Sequence, residues 1–112
     1  MFPCPSCGFL VFDEPMGSYD ICEICDWEDD HVQLKHPLLR GCANRECLLE
    51  SQEKILIEIP FDIKEYKGYV RDIEWRPLLP KDYNNDKKLP KGGLDYFNTA
   101  TEEDEDKYYW RK

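Results

Sequence analysis

The apolar run Phe9-Leu10-Val11-Phe12 reads as a short strand. Residues 13–18, with Pro15 and Gly17, read as a turn, and Tyr19-Asp20-Ile21 as the returning strand of a hairpin. Residues 31–43 hold the breakers Pro37 and Gly41 and read as loop. Over 44–59 the period changes. Leu48, Leu49, Gln52, Ile55, Leu56 and Ile59 fall within about 120° at the helical repeat, which predicts a helix with Asn44 as its N-cap. Ile57 points the opposite way. Ile55, Ile57 and Ile59 alternate as strand residues would, so the last turn is open to both readings until Pro60 ends it.

Residues 61–79 mix aromatic and charged side chains, and a short second helix over 62–70 is expected there. Pro80, Asn84-Asn85, Pro90 and Gly92-Gly93 mark 80–93 as loop. Beyond it, Thr99 and Glu102 have capping-box spacing, with Lys107 and Arg111 at the far end of a short helix. The five consecutive acids from 102 to 106 repel one another and favour a frayed tail instead. The expected organisation is a single domain in three stretches. Residues 1–43 form a metal-binding hairpin and loop, 44–79 a helical segment packed on it, and 80–112 a loop with an acidic and aromatic end.

Two Cys-x-x-Cys pairs carry the strongest chemical signal: Cys4-Pro5-Ser6-Cys7-Gly8 and Cys22-Glu23-Ile24-Cys25-Asp26. Two intervening residues let a tight turn aim both sulfurs at one ion. Gly8 lets the chain swing around it without strain. Fourteen residues separate the pairs, enough for the chain to return. Four thiolates from Cys4, Cys7, Cys22 and Cys25 would close a tetrahedral Zn²⁺ shell, a structural rather than catalytic site. Such a site supplies about 10–16 kcal/mol of apparent binding energy. A typical domain has a net stability of about 5–15 kcal/mol. Iron in the same four-sulfur cage and thiol redox chemistry are the competing readings. His31, His36, Cys42 and Cys47 could form a second site only around an ion of their own.

At 112 residues the core is small, and a metal staple would help it fold. Aromatic residues make up 13%, too many for a wholly disordered chain. The formal charge is −9, from 24 acids and 15 bases. This disfavours direct binding to nucleic acid and favours a basic protein partner. Trp27, flanked by Asp26 and by Glu28, Asp29 and Asp30, is a candidate contact. So is the run Glu102, Glu103, Asp104, Glu105 and Asp106 beside Tyr108-Tyr109-Trp110. Lys81, Lys87, Lys88 and Lys91 make the one basic cluster. No phosphate loop or catalytic constellation stands out, so an enzyme is not expected. Met1-Phe2-Pro3-Cys4 has neither the basic start nor the apolar run of a secretory leader, and no stretch approaches a membrane span. Both predict a cytoplasmic chain in which cysteines are thiols or metal ligands.

Several stretches then resemble the bacterial cysteine-rich CPCC family. They are 2–8 (Phe-Pro-Cys-Pro-Ser-Cys-Gly), Asp13-Glu14-Pro15, 17–22 (Gly-Ser-Tyr-Asp-Ile-Cys), Cys25 and Trp27-Glu28-Asp29-Asp30. Val32-Gln33-Leu34, Arg40-Gly41 and Ala43-Asn44 extend the match, which covers roughly 2–56. The family often has Cys-Pro-Cys-Cys where Ser6 stands here, but the four ligand positions match. The resemblance implies a small bacterial cytoplasmic zinc-ribbon protein. With the helical reading above, the expected fold is small α+β, an N-terminal zinc-ribbon hairpin with two knuckles, then one or two helices and an irregular acidic C-terminal part. Taken with the −9 charge and the lack of catalytic residues, the resemblance leads to the expectation of an immunity protein that neutralises a basic toxin domain such as a nuclease. The alternative is a zinc-ribbon adaptor in a nucleic-acid-handling or regulatory complex.

Overall fold

The computed structural model describes residues 1–83 and 108–111. β1 (Phe2–Pro3) pairs antiparallel with β2 (Leu10–Phe12), Phe2 opposite Phe12 and Pro3 opposite Leu10. The first cysteine pair is the loop of this hairpin. The strand over 10–12 therefore pairs backwards with 2–3, not forwards with 19–21 as the sequence suggested. Tyr19 has φ 62°, a left-handed conformation that breaks an extended run. Ile21 makes only a single bridge, to Glu28, and is 62% exposed. The second cysteine pair closes on itself instead.

α1 (His31–Lys35) lies where loop was expected. Its start is fixed by Asp30, whose Oδ1 accepts the Val32 N–H at 2.8 Å. α2 (Leu48–Glu58) begins four residues later than its predicted cap. Cys47 precedes it, and the Glu50 carboxylate accepts the Cys47 N–H at 3.1 Å. Arg40, then that N–H, hold the Glu50 carboxyl down at about 2. Asn44 ties loops together instead of capping. Its side chain bonds the Glu28 N–H, the Glu28 carbonyl and Gln33 Oε1, each at 2.9 Å.

The face predicted for α2 is the buried one, with Leu48, Gln52, Ile55 and Ile59 inside. Ile57 is 83% exposed, so the helical reading holds through the last turn. Against this face pack Phe9, Phe12, Trp27, Trp75 and Leu78, together with the cysteines. Burying each large apolar side chain contributes about 1.5–3 kcal/mol.

No helix forms over 62–70. That stretch is a second hairpin, β3 (Glu65–Tyr66) and β4 (Tyr69–Val70). Lys67 and Gly68 form its loop at φ 50° and 84°, the pair of positive angles that a two-residue hairpin turn requires. Phe9 bridges to Arg71, which joins this hairpin to the end of β2. α3 (Pro80–Tyr83) is held by a two-toothed Arg76–Asp82 pair at 2.7 and 3.1 Å.

A 3-10 turn, Tyr109–Arg111, closes the core. Tyr108, Tyr109 and Trp110 are all buried, not surface aromatics as expected. Tyr109 Oη accepts from Gln52 Nε2 at 2.8 Å and donates to the Arg76 carbonyl. The loop, helix or tail expected between 84 and 107, including the acids from 102 to 106 and three of the four clustered lysines, lies outside the described residues. Among the described residues no helix is long and apolar enough to cross a membrane.

Candidate metal centre

The two cysteine turns are built alike. In the first, the Gly8 N–H donates to the Cys4 carbonyl at 2.7 Å and the Cys4 N–H to the Phe9 carbonyl at 2.9 Å. In the second, Asp26 donates to Cys22 at 2.9 Å and Cys22 to Trp27 at 2.8 Å. Gly8 and Asp26, the matching positions, both have left-handed backbone, at φ 82° and 66°. Phe9 and Trp27 follow them into the core. Each turn thus projects two sulfurs to one side and sends an aromatic anchor to the other.

The four Sγ atoms lie within 4.8 Å of one another. Cys4 and Cys25 approach to 3.6 Å, Cys7 and Cys22 to 3.7 Å. A tetrahedral ion with metal–sulfur bonds of about 2.3 Å needs sulfurs about 3.8 Å apart. Cys4, Cys7 and Cys22 are fully buried, and Cys25 is half-buried. Burial pushes the Cys4 and Cys7 thiols up, while donation from the neighbouring thiols draws Cys22 down. Sulfurs this close do not all ionise without a cation, and a divalent ion replaces their protons with a single counter-charge. The donor set fits a metal ion. Neither pair opens a helix, as a thiol-redox pair does, which argues against that reading.

The turns are held from outside by residues far along the chain. The Pro5 carbonyl accepts Gln52 Nε2 at 2.9 Å and Trp75 Nε1 at 3.0 Å. Ser6 shares a hydrogen bond with Ser51 of α2. Arg71, only 2% exposed, donates to the carbonyls of Cys7 (2.8 Å), Pro60 (2.7 Å), Ile63 (2.9 Å) and Ile59 (3.2 Å). Its guanidinium lies over the Phe9 ring at 4.4 Å. Burial lowers its pKa and the Cys7 sulfur opposes that shift. Sequence reasoning missed Arg71 and Trp75, and it placed Gln52 on the inner face of the helix without seeing its bonds. Nothing in their spacing marks these roles, because their partners lie between 8 and 70 positions away.

His31, His36, Cys42 and Cys47 do not converge. Among the described residues the four-cysteine group is the one set with metal-binding geometry. The contact expected around Trp27 is also corrected. Trp27, Asp29 and Asp30 are 2%, 1% and 2% exposed. Asp29 Oδ2 accepts the Ser18 N–H and hydroxyl at 3.1 and 2.9 Å. Asp30 caps α1 and accepts the Ala43 N–H at 3.1 Å. These carboxylates satisfy loop N–H groups, which is why they are inside. Glu28 is half-buried, and both its backbone groups are bound by Asn44.

Two matching turns, one cluster of four cysteines and a short hairpin packed on a helix define a small α+β protein able to hold a metal ion. The family model for cysteine-rich CPCC proteins matches residues 2–57, and the chain belongs to that family. Comparison with curated proteins gives no match.

Proposed function

We propose that this chain is an immunity protein, in which a structural zinc ion holds a ribbon-like pair of knuckles and the acidic surface over them neutralises a basic toxin domain. Soft thiolates in a tetrahedron suit Zn²⁺, and four of them leave no open position for substrate. Binding rather than catalysis is the reading that follows.

The observation that carries it is the charge of the first third. Residues 1–34 contain Asp13, Glu14, Asp20, Glu23, Asp26, Glu28, Asp29 and Asp30 and not one Lys or Arg. The first five of these acids are exposed, and among them sit exposed Tyr19 (46%) and Ile21 (62%). Apolar anchors ringed by one sign of charge suit a partner of the opposite sign, with fast, salt-sensitive association. A nuclease domain, basic because it binds phosphates, is such a partner. The toxin would act in the bacterial cytoplasm, and there the chain would meet it. Direct contact with nucleic acid is not part of this role.

Co-expression with a toxin encoded beside this gene tests the reading. Protection and co-purification are expected, and both weaken in a Tyr19→Ala/Ile21→Ser double variant. Absence of both with the wild-type chain overturns it. A gel shift on nucleic acid with steep salt dependence would move the assignment to the adaptor role.

A further inference from the structure

A cavity of about 220 Å³ opens between the second cysteine turn and α2, and Cys25 lines it. Cys25 is also the one cysteine of the four that is not fully buried. Ile24 and Ile55 supply apolar walls, and Asp26, Glu46 and Glu58 supply carboxylates. Lys54 is the single base in the lining, and it is engaged by Glu46. Asp26 and Glu58 are exposed, and among the described residues neither has an ion-pair partner.

We propose that this cavity is a subsite for an arginine side chain of the protein partner, a proposal that rests on the partner being basic. An arginine has an apolar stem and a flat head with five N–H donors. The walls match the stem. The two free carboxylates and the accessible thiolate match the head. With a divalent ion bound, four thiolates carry a net charge of about −2, so the cluster adds to the attraction for a cation. Metal-bound sulfur retains lone pairs and accepts N–H hydrogen bonds. The cluster would then serve recognition as well as folding.

The test uses the metal-loaded full chain and Nα-acetyl-arginine methylamide as probe, with Nα-acetyl-norleucine methylamide as the uncharged control, followed by ¹⁵N NMR. Saturable shifts at Ile24, Cys25, Asp26 and Glu58 are expected with arginine alone. Asp26→Asn and Glu58→Gln should each weaken the arginine probe by about fivefold, as loss of a charge-assisted hydrogen bond does. Glu53→Gln, an exposed acid outside the cavity, should leave it unchanged. Equal shifts from norleucine, shifts spread as strongly over Asp13 and Glu14, or no effect of either cavity variant would each overturn the subsite. Toxin capture by the wild-type chain reads out the immunity role separately. Capture without arginine-specific shifts removes the cavity and keeps that role, and the shifts without capture do the reverse.

Discussion

Gly8 and Asp26 stand at the same place in the two cysteine turns, yet the two positions differ in tolerance. A Cβ on Gly8 would lie 2.4 and 2.5 Å from ring atoms of Trp75. Gly8→Ala therefore combines left-handed strain with overpacking, and should cost about 2–4 kcal/mol in urea unfolding of the metal-loaded protein. Asp26→Ala, exposed and with the same backbone sign, should cost only about 1 kcal/mol. Arg71→Met should cost about 3 kcal/mol or more, because four carbonyls each lose a hydrogen bond and three of them, Cys7, Ile59 and Ile63, lose the donor that holds them. Asp29 sets a pH dependence. Burial raises its carboxyl, and the Ser18 bonds only partly offset this. Its folded pKa lies above its unfolded one, so the ionised folded state is penalised near neutrality. The penalty lifts as pH falls through the raised value towards the ordinary carboxylate range. As pH falls from neutrality towards the ordinary carboxylate range near about 4, unfolding curves should thus show wild type gaining on Asp29→Asn. A difference that stays flat with pH would count against this.

At the scale of elements, α2 makes the sharpest case. Ile55 and Ile57 are the same residue type two positions apart, and a strand over 55–59 would have put both on one face. In the helix Ile55 is 6% exposed and Ile57 83%. Ile55→Ala should cost about 2–5 kcal/mol, whereas Ile57→Ala should stay within about 0.5 kcal/mol. Thermal melts of the two variants check this. The buried face of α2 was readable because its period is a property of consecutive residues. The cysteine turns were readable for the same reason, since spacing alone fixes which sulfurs share an ion. The hairpin over 65–70 escaped notice because its signal is only the pair Lys67-Gly68, and Lys gives no hint of a positive φ. The missing strand at 19–21 turns on Tyr19, another left-handed residue with a strand-forming side chain. Asn44 had the right chemistry for a helix cap, but three bonds to Glu28 and Gln33 outbid that use. Only long-range packing decides such cases.

At the scale of the molecule, Gln52 is a junction. It bonds the Pro5 carbonyl, the Leu78 N–H and Tyr109, so the cysteine turn, the helix and the aromatic end share one core. Metal removal should therefore collapse the described fold as one unit, not the cysteine turns alone. All three tryptophans, Trp27, Trp75 and Trp110, are buried and report on it. Near-UV circular dichroism and tryptophan fluorescence should both change on treatment with a strong chelator, at a single midpoint. Two separated transitions would mean that the lobes stand independently. The Gln52–Tyr109 bond also joins positions 57 residues apart, which bears on how the chain is made. A ribosome adds about 5–20 residues per second, so Cys25 emerges several seconds before Tyr109 can seat. During that interval the thiols are available to whichever metal the cell offers, without the aromatic end that later shields the core. An ion captured in that interval would be chosen by cellular supply before the core is complete, and a chain that stalled before residue 109 would then present an open, metal-loaded intermediate to the cell's proteases.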